Sequence, residues 1–236
     1  MNCLILAAGY GSRLRDLSDS KPLTRVGGMP LVEHIVRRAL AGGATAFTIV
    51  TGHEAERVER FAAELAQMLD VPITCVRVGD WSLPNGHSVL AGAGAIDGDY
   101  LLLMSDHLFD PGIVRALIAA PREAVTLAVD RDLHSHLLDI DDATKVATDA
   151  EGRIVAIGKT LERYDAIDTG AFLATPALAE AIRFALAEGA AGSLSDGMQR
   201  LAEAGRAYGC DVTGQRWIDV DSPRMHELAE ALIAHA

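Results

Sequence analysis

The chain has few of the features that mark secreted or nucleic-acid-binding proteins. Its 236 residues include only three cysteines, which are widely spaced and form no cysteine–histidine pattern typical of zinc sites. We expect Cys3, Cys75 and Cys210 to be buried free thiols in a reducing cytoplasm. The formal net charge of -12 provides no broad basic surface. Phosphate backbones bind proteins through Lys and Arg, so no nucleic-acid partner is expected.

Long hydrophobic runs are also missing. No stretch approaches the roughly 18 apolar residues that a membrane span needs. The first apolar run is about five residues long and lacks a basic flank, so it does not have the form of a signal peptide. We therefore expect no direct membrane insertion. The hydrophobic content of 50% is ample for one continuous core, which predicts a single domain over residues 1–236.

Apolar runs alternate with helical patterns along the first 130 residues. The predicted strands are 3–8, 45–51, 73–78, 100–105 and 124–130, and the predicted helices are 30–42, 54–69, 86–96 and 110–119. After residue 140 the patterns predict a hairpin (144–148 and 153–157), a strand at 168–174, helices at 176–188 and 194–204, strands at 206–212 and 216–220, and a last helix from 222. This order predicts a Rossmann-like α/β domain with a mixed, mainly parallel central sheet flanked by helices.

The segment at residues 6–23, LAAGYGSRLRDLSDSKPL, carries the strongest functional signal. A predicted strand runs directly into Gly9 and Gly11, and such a loop lets successive N–H groups face one concavity and hold phosphate oxygens. Arg13 and Lys21 add positive charge nearby. A turn that only reverses the chain would leave these two cations unexplained.

Two common phosphate loops do not fit this segment. The dinucleotide-binding fingerprint requires a third glycine at the position of Leu14. A Walker A loop requires Ser or Thr directly after its lysine, whereas Pro22 follows Lys21 here. The segment instead resembles the nucleotidyltransferase signature L-A-A-G-x-G-[ST]-R-L followed by K-P-L. The matching residues are Leu6, Ala7, Ala8, Gly9, Gly11, Ser12, Arg13, Leu14, Lys21, Pro22 and Leu23.

Carboxylates at the ends of two later strands predict a magnesium site. Asp106 follows an apolar strand, and Asp219 and Asp221 lie on one face of a late strand because strand side chains alternate with period two. These carboxylates would repel a bound triphosphate unless a cation lay between them. Mg²⁺ fits this position because it prefers oxygen ligands from carboxylates and phosphates. The alternative for Asp106 and for Asp221 is a helix N-cap, for which Ser222 competes with Asp221.

Two further loops have features of a nucleotide site. Asn85, Gly86 and Ser88 offer polar groups and a close backbone approach, although the same residues would also suit an ordinary helix start. Gly52 follows the second strand and offers a backbone edge to a base. Backbone edges of this kind suit pyrimidines.

Several motifs together resemble the CTP:inositol-1-phosphate cytidylyltransferases. They are Asn85-Gly86-x-Ser88, Ser105-Asp106-His107, Val129-Asp130-Arg131, the runs 139–146 and 153–159, Asp168-Thr169-Gly170 and Trp217-Ile218-Asp219-Val220-Asp221. The resemblance covers residues 2 to 232. The chain departs from the family at Leu83-Pro84, where Lys-Gly is usual, and at Asp141-Asp142, where Gly-Glu is usual.

The resemblance implies CTP and Mg²⁺ as ligands and CMP transfer to inositol 1-phosphate. In that assignment Arg13 contacts the β- and γ-phosphates, Lys21 contacts the α-phosphoryl oxygens, and Lys159 or Lys145 contacts the acceptor phosphate. The alternative for both hairpin lysines is simple solvent exposure. The implied acceptor-binding residues are His107, Asp139, Thr144, Lys145, Lys159, Asp168, Thr169 and Gly170.

The resemblance also has implications for the pathway and for possible partner proteins. Members of the family are often fused to a membrane phosphotransferase that uses CDP-inositol in phospholipid biosynthesis. The resemblance therefore implies such a downstream partner here. Whether the chain forms a homodimer is left open by the sequence. Two other functions also stay open. One is transfer to phosphocholine, 2-aminoethylphosphonate or a sugar 1-phosphate with CTP or another nucleoside triphosphate, and the other is nucleotide sensing without catalysis.

Overall fold

The structure is a computed structural model, and it describes residues 1–234. Residues 235 and 236 of the predicted domain lie outside the described residues. The strands are β1 (Asn2–Ala7), β2 (Arg25–Val26), β3 (Met29–Pro30), β4 (Ala46–Thr51), β5 (Ile73–Arg77), β6 (Tyr100–Met104), β7 (His107–Phe109), β8 (Val125–Asp130), β9 (Lys145–Thr148), β10 (Ile154–Gly158), β11 (Ala166–Ala174), β12 (Ala207–Asp211) and β13 (Trp217–Asp219). The helices are α1 (Leu31–Gly42), α2 (Ala55–Leu69), α3 (Asn85–Ala93), α4 (Pro111–Ala119), α5 (Pro176–Ala187), α6 (Leu194–Glu203) and α7 (Pro223–Ala234).

The central sheet is mixed. Its strand order is β10-β9-β11-β6-β1-β4-β5, and β8 and β12 extend it from β11. Strands β6, β1, β4 and β5 are parallel, whereas β11 runs antiparallel to β6, β8 and β9. Helices flank both faces, so the apolar run of β1 is buried on both sides. The predicted single α/β domain with a mixed, mainly parallel sheet is confirmed.

A small second sheet was not predicted, and it shapes the site. Strand β7 begins directly after Asp106 and pairs antiparallel with β13, so that His107 lies opposite Asp219. Three residues are too few to show a period in the sequence. The pairing joins two segments more than 100 residues apart and brings their acidic residues together at the carboxyl end of β6.

Some expectations about burial need correction. All three cysteines are free thiols, but only Cys3 is fully buried, whereas Cys75 and Cys210 are half-buried because they lie on β5 and β12 near the margins of the sheet. Burial raises the pKa of the Cys3 thiol well above its usual range. Within residues 1–234, none of the helices is long and apolar enough to cross a bilayer.

Candidate active site

Two cavities adjoin at the carboxyl ends of β1 and β6. The phosphate-loop cavity, about 240 Å³, is lined by the first loop, and the acidic cavity, about 230 Å³, is lined by β7, β11, β13 and the segment 137–144. Asn85, Met104 and Asp106 line both cavities, so a ligand in one lies next to a ligand in the other.

The phosphate-loop cavity collects most of the residues predicted to bind the nucleotide. Gly11 adopts a left-handed backbone conformation (φ 62°), which only glycine adopts readily, and the chain then enters a short 3-10 turn. The predicted residues that line this cavity are Leu6, Ala8, Gly9, Gly11, Lys21, Asn85, Ser88 and Asp106. The predicted residues outside its lining are Ala7, Ser12, Arg13, Gly52 and Gly86.

Lys21 lies at the boundary between the two cavities. A 3-10 turn at Lys21–Leu23 directs its ammonium group to Asp106, with which it forms an ion pair. Burial alone would lower the pKa of Lys21, but the carboxylates of Asp106 and Asp219 outweigh it and raise that pKa. Burial alone would raise the pKa of Asp106, but Lys21 and His107 lower it to about 2. Both groups are therefore charged at neutral pH.

Arg13 is placed differently from the prediction. Its guanidinium group donates to Asp142 at 2.8 Å and to Asp221 at 2.5 Å, and its side chain is 52% exposed. The hydrogen bond to Asp142 raises the pKa of Arg13. Arg13 therefore connects the first loop to the rim of the acidic cavity, and in this arrangement it does not line the phosphate-loop cavity.

The acidic residues form two overlapping clusters that share Asp219. In one, His107 lies 3.4 Å from oxygens of both Asp106 and Asp219; in the other, Asp219 lies beside Asp142 and Asp221. Burial would lower the pKa of His107, but Asp219 and Asp106 raise it to about 9. Burial and the charge of Asp219 raise the pKa of Asp221 to about 6.

The helix-cap alternatives for these acids do not hold. Strand β7 separates Asp106 from helix α4, whose N-cap residue is Asp110. At the start of α7 the Ser222 hydroxyl accepts from the Met225 N–H, and the Asp221 carboxylate accepts from Arg13 instead. Neither Asp106 nor Asp221 therefore serves as a helix N-cap.

The donor set of the acidic clusters fits a divalent cation. The two clusters together contain four carboxylates and one imidazole, and carboxylate oxygens suit Mg²⁺. Within residues 1–234, Asp219 Oδ1 is buried and has no hydrogen-bond partner. A buried carboxylate oxygen without a partner is costly, and a bound cation would satisfy it.

The acidic cavity brings together six of the eight predicted acceptor residues, namely His107, Asp139, Thr144, Lys159, Asp168 and Gly170. The Lys159 ammonium donates to Asp142 at 2.6 Å. Burial raises the pKa of Asp168 to about 6, although its carboxylate accepts from the Gly170 N–H.

Thr169 and Lys145 do not reach the acidic cavity. The Thr169 side chain is buried on the other face of β11, where its hydroxyl donates to the Ala128 carbonyl at 2.9 Å. The Lys145 ammonium donates to the Lys159 carbonyl at 2.9 Å and lies 5.8 Å from the centre of the Tyr164 ring. These positions favour structural roles for both side chains over the predicted contact with the acceptor.

Several lining residues were not predicted. Met104, Phe172 and Trp217 form an apolar wall of the acidic cavity, and Trp81 and Leu83 line the phosphate-loop cavity. Met104, Phe172 and Trp217 lie in strands, where apolar residues are expected in the core, so the sequence contains no signal of a ligand at these three positions. Asp142, where the sequence departs from the related family, bonds both Arg13 and Lys159.

Asn85 and Gly86 have structural roles at the start of α3. The Asn85 side-chain oxygen accepts from the Leu194 N–H, which joins α3 to the start of α6. A Cβ at Gly86 would lie 2.2 Å from the Gly192 carbonyl oxygen. Gly86 is therefore required where two backbone segments meet, rather than at the surface of the phosphate-loop cavity.

Gly86→Ala is expected to lower the free energy of unfolding by about 1–3 kcal/mol, because backbone atoms must move to make room for the new methyl group. Gly79→Ala is the matched control, since open space surrounds that residue, and it should change stability by less than about 1 kcal/mol. Urea unfolding followed by circular dichroism measures both. Equal stabilities of the two variants would contradict this packing role.

Comparison with known proteins identifies the family. The family model of the MobA-like NTP transferase domain matches residues 3–200. The chain belongs to this family. A solved structure described as the inositol-1-phosphate CTP transferase from T. maritima is similar over 97% of this chain and 94% of that chain, with a TM-score of 0.84 and 26% identity.

The relatives of this chain described next are longer proteins. A bifunctional IPC transferase and DIPP synthase of Rubrobacter xylanophilus is 35% identical over 97% of this chain and 51% of that protein. A CMP-5'-(3-aminopropyl)phosphonate synthase of Streptomyces rubellomurinus is 30% identical over 94% of this chain and 37% of that protein. The chain spans about half the length of the first of these relatives.

Proposed function

We propose that the chain transfers CMP from CTP to inositol 1-phosphate and releases pyrophosphate. The observation that carries this proposal is the pair of adjoining cavities, which meet at Asp106 with the Lys21 ammonium beside it. A nucleotide in the phosphate-loop cavity and a phosphorylated acceptor in the acidic cavity would meet at this boundary. The similarity to the T. maritima inositol-1-phosphate CTP transferase and to the Rubrobacter IPC transferase and DIPP synthase supports inositol phosphate as the acceptor.

The reaction needs little acid–base catalysis. The acceptor phosphate is largely dianionic near neutral pH, since its second pKa is about 6, so it is already a nucleophile. One of its oxygens attacks the α-phosphorus of CTP, the bond to the bridging oxygen breaks, and pyrophosphate leaves. The main barrier is the approach of two anions, so positioned positive charge should dominate the rate enhancement. In our assignment the charged Lys21 ammonium stabilises the α-phosphoryl oxygens.

We infer that Asp106, Asp219 and Asp221 hold Mg²⁺. A bound Mg²⁺ supplies positive charge that neutralises phosphate oxygens. The protein groups then have distinct roles: Asp106 and Asp219 offer carboxylate oxygens, and His107 supplies a counter-charge between them. We assign Arg13 to the β- and γ-phosphates, which requires that its guanidinium leave Asp142 and Asp221.

The acidic cavity suits a polyhydroxylated acceptor. Asp139, Thr144 and Asp168 offer oxygen atoms to ring hydroxyls, and Lys159 offers the charge that an acceptor phosphate needs. The apolar wall, to which Phe172 and Trp217 contribute, would pack against the C–H faces of an inositol ring. We further propose that the product is consumed in phospholipid biosynthesis by a membrane phosphotransferase, and that the reaction takes place in the cytoplasm.

A second candidate acceptor is an aminoalkylphosphonate. The similarity to the Streptomyces CMP-5'-(3-aminopropyl)phosphonate synthase favours it, and the acids of the cavity would attract an ammonium group. Initial rates of pyrophosphate release with CTP, Mg²⁺ and each acceptor separate the candidates. The proposal predicts a clear preference for inositol 1-phosphate over 2-aminoethylphosphonate, 3-aminopropylphosphonate, phosphocholine and glucose 1-phosphate. A preference for any of the others would contradict it.

Lys159→Ala is expected to raise KM for inositol 1-phosphate by on the order of tenfold or more, with little change in KM for CTP, because a charge-assisted phosphate contact is lost. Lys145→Ala is the matched control on the same hairpin. Its ammonium lies outside the acidic cavity, so it should change either KM by less than about threefold. Steady-state kinetics with each substrate varied in turn measures both effects. Similar KM changes in the two variants would remove Lys159 from the acceptor site.

A further inference from the structure

A cluster of aromatic rings at the rim of the phosphate-loop cavity has no part in the chemistry above. The rings of Tyr10 and Trp81 stack with their centroids 5.5 Å apart and their planes 12° apart. The His53 ring meets Tyr10 edge-on at 4.7 Å and Trp81 at 5.1 Å. The three residues come from the first loop, the turn after β4 and the segment before α3. Because aromatic residues make up only 5% of the chain, a stack at this rim is a distinctive feature.

The position of Trp81 is fixed by backbone packing as well as by the stack. A Cβ at Gly52 would lie 2.6 Å from the Trp81 Cβ and 2.8 Å from the Ala8 carbonyl oxygen. The Trp81 segment therefore packs directly on Gly52, where we had expected a base to reach the backbone. This explains why Gly52 is outside the cavity lining and Trp81 is part of it.

Trp81 also presents an unusual surface. Its side chain is 40% exposed, and the neighbouring Leu83 is 45% exposed, although both line the cavity. Adjacent exposed apolar side chains beside a cavity commonly mark a binding surface. Leu6 and Ala8 at the end of β1 line the same cavity. A flat, apolar ligand group in this cavity would contact the exposed Trp81 ring.

We propose that Trp81 is a specificity-determining residue that packs against the pyrimidine base of the nucleotide. Tyr10 lies between the two glycines of the first loop, so its stack on Trp81 joins the base-contacting wall to the phosphate-contacting loop. The Arg15 guanidinium lies 4.6 Å from the centre of the Tyr10 ring and supports it further. This inference rests on the proposed function, because it takes CTP as the nucleotide.

In this inference the space left beside the Trp81 ring limits the size of the base. Aromatic packing is itself tolerant of base identity, because every base has a π face. We therefore attribute selection for a pyrimidine to the space beside the Trp81 ring, whose position is held by its packing on Gly52 and its stack on Tyr10. A smaller side chain at position 81 should weaken CTP binding and at the same time admit purine nucleotides.

The two tryptophans make this inference testable without turnover. Trp81 lines the phosphate-loop cavity, whereas Trp217 lines the acidic cavity and donates to Asp130 at 2.8 Å. Tryptophan fluorescence is recorded during titration with CTP and Mg²⁺ in the absence of acceptor, with excitation at the red edge, where cytosine absorbs little. We expect saturable quenching in the parent protein and in Trp217→Phe, and its loss in Trp81→Phe. The comparison of the parent protein with Trp81→Phe is sufficient if Trp217→Phe does not fold.

Affinity and selectivity provide the second readout. Trp81→Ala should raise Kd for CTP by on the order of tenfold, and it should reduce the preference for CTP over ATP by a similar factor. Phe184→Ala, which removes an exposed ring on α5 that contacts Arg200, is the matched control and should change neither value. A merely structural role of Trp81 would lower stability without changing the CTP-to-ATP ratio.

The possible outcomes separate this inference from the proposed function. Quenching by CTP that persists in Trp81→Phe, or an unchanged CTP-to-ATP ratio in Trp81→Ala, overturns the role of Trp81 even if CDP-inositol forms. Loss of quenching in Trp81→Phe together with the altered ratio supports that role even if inositol 1-phosphate proves inert, in which case only the proposed acceptor fails.

Discussion

Lys21→Ala should lower turnover by on the order of 10²-fold or more, with a smaller effect on CTP binding, because its charge matters most while the α-phosphoryl group transfers. Its ion pair with Asp106 places the ammonium at the boundary of the two cavities, where our assignment requires it. Rates at saturating substrate and Kd for CTP together measure the effect.

The control for Lys21→Ala is Arg122→Ala. Arg122 forms an exposed ion pair with Asp99 at 3.7 Å, and neither residue lines either cavity, so its loss should leave turnover within twofold. Thermal unfolding of both variants shows whether the fold is intact. A folded Lys21→Ala protein with turnover within a few-fold of the parent would remove Lys21 from the mechanism.

The second large effect concerns the carboxylates. Asp106→Asn and Asp219→Asn should each lower turnover by about 10³-fold or more, and a chelator should abolish it, because charge stabilisation of the phosphates is lost. Asp99→Asn, from the same exposed ion pair as the arginine control, should have turnover like that of the parent.

A binding measurement tests the metal assignment separately from turnover. Calorimetric titration with Mg²⁺ in the presence of CTP should give at least tenfold weaker binding in Asp219→Asn than in Asp99→Asn. Full activity in excess chelator would contradict a metal-dependent reaction.

The sequence predicted the elements of the fold well where the patterns were long. The continuous apolar runs of β1, β4, β6 and β8 were recognisable because both faces of these strands are buried. The two-residue strands β2 and β3 and the three-residue strand β7 were not predicted, since so few residues show no period. Strand β7 matters most, because its pairing with β13 sets the distance between Asp106 and Asp219.

The sequence predicted residues of the candidate site where an ionisable residue follows directly after, or ends, a predicted strand. Asp106, His107 and Asp219 belong to this class, and the structure brings them within one cluster. Thr169 shows the limit: it lies between two cavity residues of β11, but its side chain points to the opposite face and bonds the Ala128 carbonyl. The Arg13–Asp142–Lys159 connection was not predictable either, because it joins segments that are distant in sequence.

The transfer of the α-phosphoryl group to inositol 1-phosphate is the central claim, and one labelling measurement tests it most directly. The protein is incubated with Mg²⁺, inositol 1-phosphate and CTP labelled at the α-phosphate, and the products are separated and identified by mass. The account predicts that the label appears in CDP-inositol and that the released pyrophosphate is unlabelled. Label that stays in CTP with inositol 1-phosphate, but enters a CMP-aminoalkylphosphonate or CDP-choline when those acceptors are supplied, would contradict it.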